Sequence, residues 1–116
     1  MNGRSSKAKG ASAERAVTDY LRANGFPYAE RRRAGATADT GDIIAIPGLT
    51  VEVKNQQRLE LSSWVDQMLG EMNNTTPAAW QGVVVHKRKG KTDPGEWYAT
   101  TTFDLWLTML KEGYVR

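Results

Sequence analysis

Asp42, Glu52 and Lys54 are residues whose types and spacing could do chemistry together, in the pattern D-x9-E-x-K. Two carboxylates brought close together repel, and a hard divalent cation relieves that repulsion. Mg2+ suits such a pair, because it takes one or two carboxylates and keeps places for water and phosphate oxygens. A cation held there makes a water more acidic and neutralises charge on a phosphate. The Lys54 ammonium can orient that water or stabilise charge growing in the transition state. These are the parts needed to hydrolyse a phosphodiester bond. The same three residues could also form a cross-strand ion pair on an exposed sheet face, so their placement decides.

Period-two alternation puts Glu52 and Lys54 on one face of their strand, with Val51 and Val53 on the other. Whether Asp42 joins them depends on the turn. A three-residue turn, Pro47-Gly48-Leu49, pairs Ile46 with Thr50 and sets Asp42 opposite Lys54 on the same face. That is the expected register. A turn of Pro47-Gly48 alone flips the parity unless a bulge corrects it. Glu14 is a further candidate. It shares helical spacing with Val17 and Leu21, at the border of an apolar stripe. An acid there needs a partner: a metal-bearing sheet end, the helix dipole, or a basic neighbour.

The elements around these residues follow from periodicity and punctuation. A helix is expected over 12–24, capped by Ser12 and ended by Asn24-Gly25. A strand over 26–33 is weakened by Pro27, and 34–40 is a small, Gly-containing loop. The hairpin carrying Asp42 and Glu52 comes next. A helix from Ser62 or Ser63 to Met72 shows Trp64, Val65, Met68, Leu69 and Met72 on one face. A buried strand over 82–86, a basic turn over 87–95 and a strand over 96–100 follow. Thr102 caps a last helix through Phe103, Trp106, Leu107 and Leu110. The order αβββαββα implies a three-layer α/β sandwich with a central mixed sheet. A crossover through the second helix could set 82–86 parallel to an earlier strand.

The 116 residues suffice for one core, expected over 11–116 behind a flexible basic arm at 1–10. The absence of cysteine excludes a disulfide scaffold and thiolate zinc sites, and no apolar run is long enough to span a membrane. A soluble, cytoplasmic protein is the expectation. The net charge of +3 and pI near 9.3 are weak pointers to a polyanion, but the clustering says more. Arg31-Arg32-Arg33 and Lys87-Arg88-Lys89 with Lys91 are suited to phosphate contacts. His86 is the single histidine, so zinc is not indicated and a structural or phosphate-neighbouring role is expected. Trp64, Trp97 and Trp106 fall on periodic faces and read as core. Trp80 could be core or interface.

These residues resemble the PD-(D/E)xK nuclease superfamily and, more narrowly, small Holliday junction resolvases of the archaeal and phage type. The resemblance runs through Lys9-Gly10, Glu14-Arg15, Gly25-Phe26, the Arg31–Gly35 stretch, Gly41-Asp42-Ile43-Ile44-Ala45 and Val51-Glu52-Val53-Lys54-Asn55. It covers residues 9–55, and beyond them only the order of elements agrees. It implies a restriction-endonuclease-like fold and a Mg2+-dependent endonuclease, with Mn2+ able to substitute. Asp42 and Glu52 would be metal-binding carboxylates, the Val53 carbonyl a further ligand and Lys54 the catalytic lysine. Glu14 would be an accessory ligand or organiser of the metal site. Lys9, Arg15, Arg31, Arg32, Arg33, Lys87, Arg88, Lys89 and Lys91 are the expected DNA contacts. The partners implied are branched DNA and a second copy of the chain, with no small-molecule cofactor. Two departures stand out. Gly41 occupies the place of the motif proline. The loop after the arginines offers only the Thr37 hydroxyl, where resolvases often carry a serine. Gln67 sits where related nucleases often place a glutamine near the site, and it could equally flank the apolar stripe. A nuclease for nicked, flap or duplex DNA and a non-catalytic DNA-binding protein are the competing readings.

Overall fold

The computed structural model describes residues 3–32 and 40–114. In chain order its elements are α1 (Gly3–Ala23), β1 (Glu30–Arg31), β2 (Ile43–Ile44), β3 (Leu49–Lys54), α2 (Leu61–Met72), β4 (Gln81–His86), β5 (Tyr98–Thr100) and α3 (Phe103–Tyr114). A single 3-10 turn, Pro94–Glu96, precedes β5. The strands form one mixed sheet in the order β1-β2-β3-β4-β5. β3 and β4 are parallel, as the crossover through α2 permits, and the other neighbours are antiparallel.

Alternation along the strands sorts the core into two layers. Val51 and Val53 pack with Ile43 and Trp97 against Ala13 and Val17 of α1. Val84 packs with Trp64, Met68 and Met72 of α2, and Leu105 of α3 leans on that cluster. Successive side chains point to opposite faces, so the two clusters lie on opposite sides of the sheet. The result is the expected α/β sandwich of helix, sheet and helix. Met68 and Val84 are wholly buried, and each such side chain contributes about 1.5–3 kcal/mol. Gly82 is what lets α2 approach so closely: a side chain there would run into the sulfurs of Met68 and Met72.

Several expectations need correction. α1 begins at Gly3 instead of Ser12, so residues 3–10 belong to the helix. Lys7, Ala8 and Lys9 are good helix formers with no proline among them. The strand expected over 26–33 shrinks to Glu30–Arg31, because Pro27 sits in a turn in which the Ala29 N–H donates to the Phe26 carbonyl. Arg33 and the loop with Thr37 lie outside the described residues. The last strand starts at Tyr98, since Asp93 accepts the Gly95 N–H and winds Pro94–Glu96 into a turn. Thr102 does cap α3, its hydroxyl accepting the Leu105 N–H at 3.2 Å. Trp64 and Trp97 are core residues, but Trp106 is 43% exposed and stacks on Phe103. α3 docks through Leu105, which turns the Phe103–Trp106 side outward. Trp80 is half exposed and lies over Gly48 in the β2–β3 turn. Among the described residues no helix is long and apolar enough to cross a membrane.

Candidate active site

The β2–β3 connection decides where Asp42 goes. The Leu49 N–H donates to the Ile46 carbonyl, closing the turn around Pro47-Gly48 alone. Ile43 pairs with Val51, while the Asp42 N–H donates to the same Val51 carbonyl at 2.8 Å. Two residues thus share one partner, which is a bulge. Asp42 is level with Val51 instead of facing Lys54, so the three-residue turn is not the register adopted. The bulge restores the convergence that a two-residue turn would have lost. The Asp42 Oδ2 accepts the Val53 N–H at 2.8 Å, fastening the carboxylate to β3. Gly41 has φ +107°, and a side chain there would stand 3.0 Å from the Val51 carbonyl. The residue before Asp42 therefore needs glycine's backbone freedom.

Glu52 points from β3 toward α2 and is buried, with 2% of its surface exposed. Lys54 Nζ lies 3.3 Å from its Oε2. Its Oε1 is buried without a hydrogen-bond donor. The Asp42 carboxyl is raised to about 7, first by burial and then by the charge of Glu52, against the Val53 N–H that favours ionisation. Glu52 is also pushed up to about 7, by burial and then by the charge of Glu71, opposed by Lys54. Such a pair gains more from a cation than a solvated pair would.

Glu71 is a site residue that the motif pattern does not mark. It is a buried acid on α2, three residues after Met68 and seven after Trp64. That spacing on the apolar face is the signal that could have found it. Gln67, one turn earlier on the helix, links it to the lysine. Lys54 Nζ donates to Gln67 Oε1 at 2.7 Å, and Gln67 Nε2 donates to Glu71 Oε2 at 3.2 Å. The glutamine is thus part of the site and not a bystander of the Trp64–Met68 stripe.

Glu14 reaches the same place from α1. Arg31 donates to its Oε1 through Nε at 3.3 Å and Nη2 at 3.2 Å. Burial first, and then the nearby Asp42, raise its pKa, while Arg31 and Arg15 lower it. The basic neighbour is therefore its direct partner. Glu14, Asp42, Glu52, Val53, Lys54 and Gln67 line one cleft of about 640 Å3, with Lys9 and Gly10 at its edge. Among the described residues no three acidic, histidine or cysteine side chains form a ready ligand group. The fit rests on a smaller donor set: two carboxylates, one with a buried oxygen lacking a donor, beside the Val53 backbone. That chemistry suits a hard cation that keeps several waters.

The basic residues divide. Lys87, Arg88 and Lys89 line a larger neighbouring cleft, and Lys9 lines both. Lys91 turns to Glu96 at 3.7 Å. Arg31 is engaged by Glu14, the Arg32 N–H donates to the Asp42 carbonyl, and Arg15 is exposed and lines neither cleft. His86 is tied into the sheet and also lines the larger cleft: its Nε2 meets Thr100 Oγ1 at 2.8 Å, its ring lies between Trp64 and Tyr98, and burial lowers its pKa. Comparison with models of known families, with curated proteins and with solved structures finds no match for this chain.

Proposed function

We propose that the chain is a Mg2+-dependent DNA endonuclease of the PD-(D/E)xK type, on a restriction-endonuclease-like fold. Its proposed substrate is branched DNA, four-way junctions first, cut by a homodimer. The observation that carries this reading is the meeting of Asp42, Glu52 and Lys54 beside a buried carboxylate oxygen without a donor. Mg2+, or Mn2+ in its place, would neutralise charge on the phosphate and make the attacking water more acidic. Asp42, Glu52 and the Val53 carbonyl would hold it.

The chain's own residues do the rest. The Val53 N–H keeps Asp42 aimed at β3. Lys54, steadied by Gln67, presents an ammonium beside the carboxylates, where it can orient the water or receive charge from the phosphate. Glu14 adds negative potential next to Asp42 while Arg31 restrains it. Lys9, Lys87, Arg88 and Lys89 line the clefts and would meet backbone phosphates, which position a strand without reading its sequence. Arg15, Arg32, Arg33 and Lys91 would belong to the wider footprint.

The test is cleavage of a four-way junction, a flap, a nicked duplex and a linear duplex, with Mg2+ or with EDTA. Wild type should cut the junction fastest and only with the cation. Asp42→Asn, Glu52→Gln and Lys54→Ala should each lose at least about 100-fold in rate while still binding DNA. Equal cutting by the Glu52 variant would end the catalytic assignment. Equal rates on plain duplex would end the junction assignment in favour of a general nuclease.

A further inference from the structure

The larger cleft, about 1300 Å3, shares Lys9, Lys54 and Asn55 with the acidic one. Sheet register sets what lies across it. Lys54 is opposite His86, and His86 is opposite Tyr98. Residues opposite one another face the same way at about 4.8 Å per strand, so the Tyr98 backbone stands roughly 10 Å from that of Lys54. His86 is buried, yet Tyr98 in the edge strand is 54% exposed. The Arg88 guanidinium lies 4.8 Å from the Tyr98 ring centroid, and its Nη1 donates to the Glu96 carbonyl at 3.0 Å. His86, tied to Thr100, holds another side of the ring with centroids 5.6 Å apart. Ring and guanidinium are therefore in place before any ligand arrives.

We infer that this cleft seats an unpaired nucleotide of the DNA strand leading to the cut phosphate, with its base stacked on the Tyr98–Arg88 pair. Lys89, in the same cleft, meets its phosphates, while Lys87 carries its Nζ over Trp97, 5.7 Å from the ring centroid. A base inside a duplex is already stacked on both faces, so only a nucleotide that has left the helix can use the ring. Positive charge with an aromatic platform is the usual make-up of a single-strand site. The substrate class is DNA with an unpaired segment a few nucleotides from the cut, as at a flap or at a branch point whose pairs have opened. It rests on the nuclease reading for the strand's path to Asp42 and Glu52, but the stacking does not depend on cleavage.

The experiment measures binding in EDTA, so that no cutting intervenes. A short single-stranded oligonucleotide carrying 2-aminopurine is titrated with the full chain, and fluorescence quenching and anisotropy are read together. A duplex with the same label is the comparison. Quenching should appear with the single strand and not with the duplex. Tyr98→Leu keeps apolar bulk at the strand edge, and should abolish quenching and weaken single-strand binding by about tenfold. Tyr98→Trp should keep both. Unchanged quenching and affinity in Tyr98→Leu, or equal quenching with the duplex, would overturn the inference. Quenching that depends on Tyr98 in a protein that cuts nothing would uphold the site and sink the nuclease reading alone. Cleavage that persists while Tyr98→Leu binds and quenches normally would do the reverse.

Discussion

The two faces of β3 differ as much as two proteins might, although they alternate residue by residue. Val51 and Val53 meet Ala13, Val17 and Trp97 in a dry apolar layer. Glu52 and Lys54 point the other way, into carboxyl and amide groups from β2 and α2. Both faces are covered by helices, so burial is similar and only the chemistry differs. The apolar side contributes stability through area removed from water. The acidic side sacrifices some, because buried carboxylates are costly unless fully paired. A protein gains nothing from that arrangement alone, and it makes sense where a cation is to be held.

The largest effect should come from moving the acid to the wrong face. Val51→Asp places a charge in the apolar layer with no partner, and should cost about 3–5 kcal/mol in urea unfolding. Tolerance of that change would mean the α1 layer is not dry, and the contrast would collapse.

The next effect is in pH. Asp42 and Glu52 titrate near 7 in the folded chain, against 3.8 and 4.5 for the free groups. Between those limits the folded state holds more protons than the unfolded one, so stability falls as pH rises from about 4 through about 7 and levels off above. The loss should be on the order of 3–4 kcal/mol for each carboxyl. Thermal melts at pH 5 and pH 8 measure it. Mg2+ should recover stability at pH 8 and do little at pH 5. Glu52→Gln should be more stable than wild type at pH 8 without metal. A wild-type stability that rises across this window would contradict the account of the acidic face.

A smaller effect belongs to Gln67, which joins Lys54 to Glu71. Gln67→Ala should lower cleavage by about 10–100-fold while leaving junction affinity and melting temperature nearly unchanged. A full-rate variant would mean Lys54 needs no support from α2.

Local patterns make the two faces legible in the sequence itself. The alternation Val51-Glu52-Val53-Lys54 reads directly as two faces of one strand, one apolar and one charged. Trp64, Met68 and Met72 mark the buried side of α2, and Thr102 announces α3. The rest depends on contacts distant in sequence. Asp42 reaches Glu52 through a bulge against Val51, and Gly41 beside it is the one local sign of that bend. Glu71 resembles any helix acid until its place beside Met68 and Trp64 is counted. Trp106 fits an apolar stripe as well as Leu105 does, and only docking on the sheet decides which is turned in. The start of α1 is hidden because Gly3, Ser5 and Ser6 suggest a loose arm, while Lys7, Ala8 and Lys9 sustain a helix.

The central claim is that Asp42 and Glu52 hold a divalent cation between β2 and β3. Paramagnetic broadening of backbone amide resonances by Mn2+ tests it most directly. Amides of Gly41, Asp42, Glu52, Val53 and Lys54 should vanish first as Mn2+ is added, and Mg2+ should restore them. In Glu52→Gln the same signals should survive at that Mn2+ level. Broadening that begins elsewhere, or that is identical in the Glu52 variant, would contradict the account.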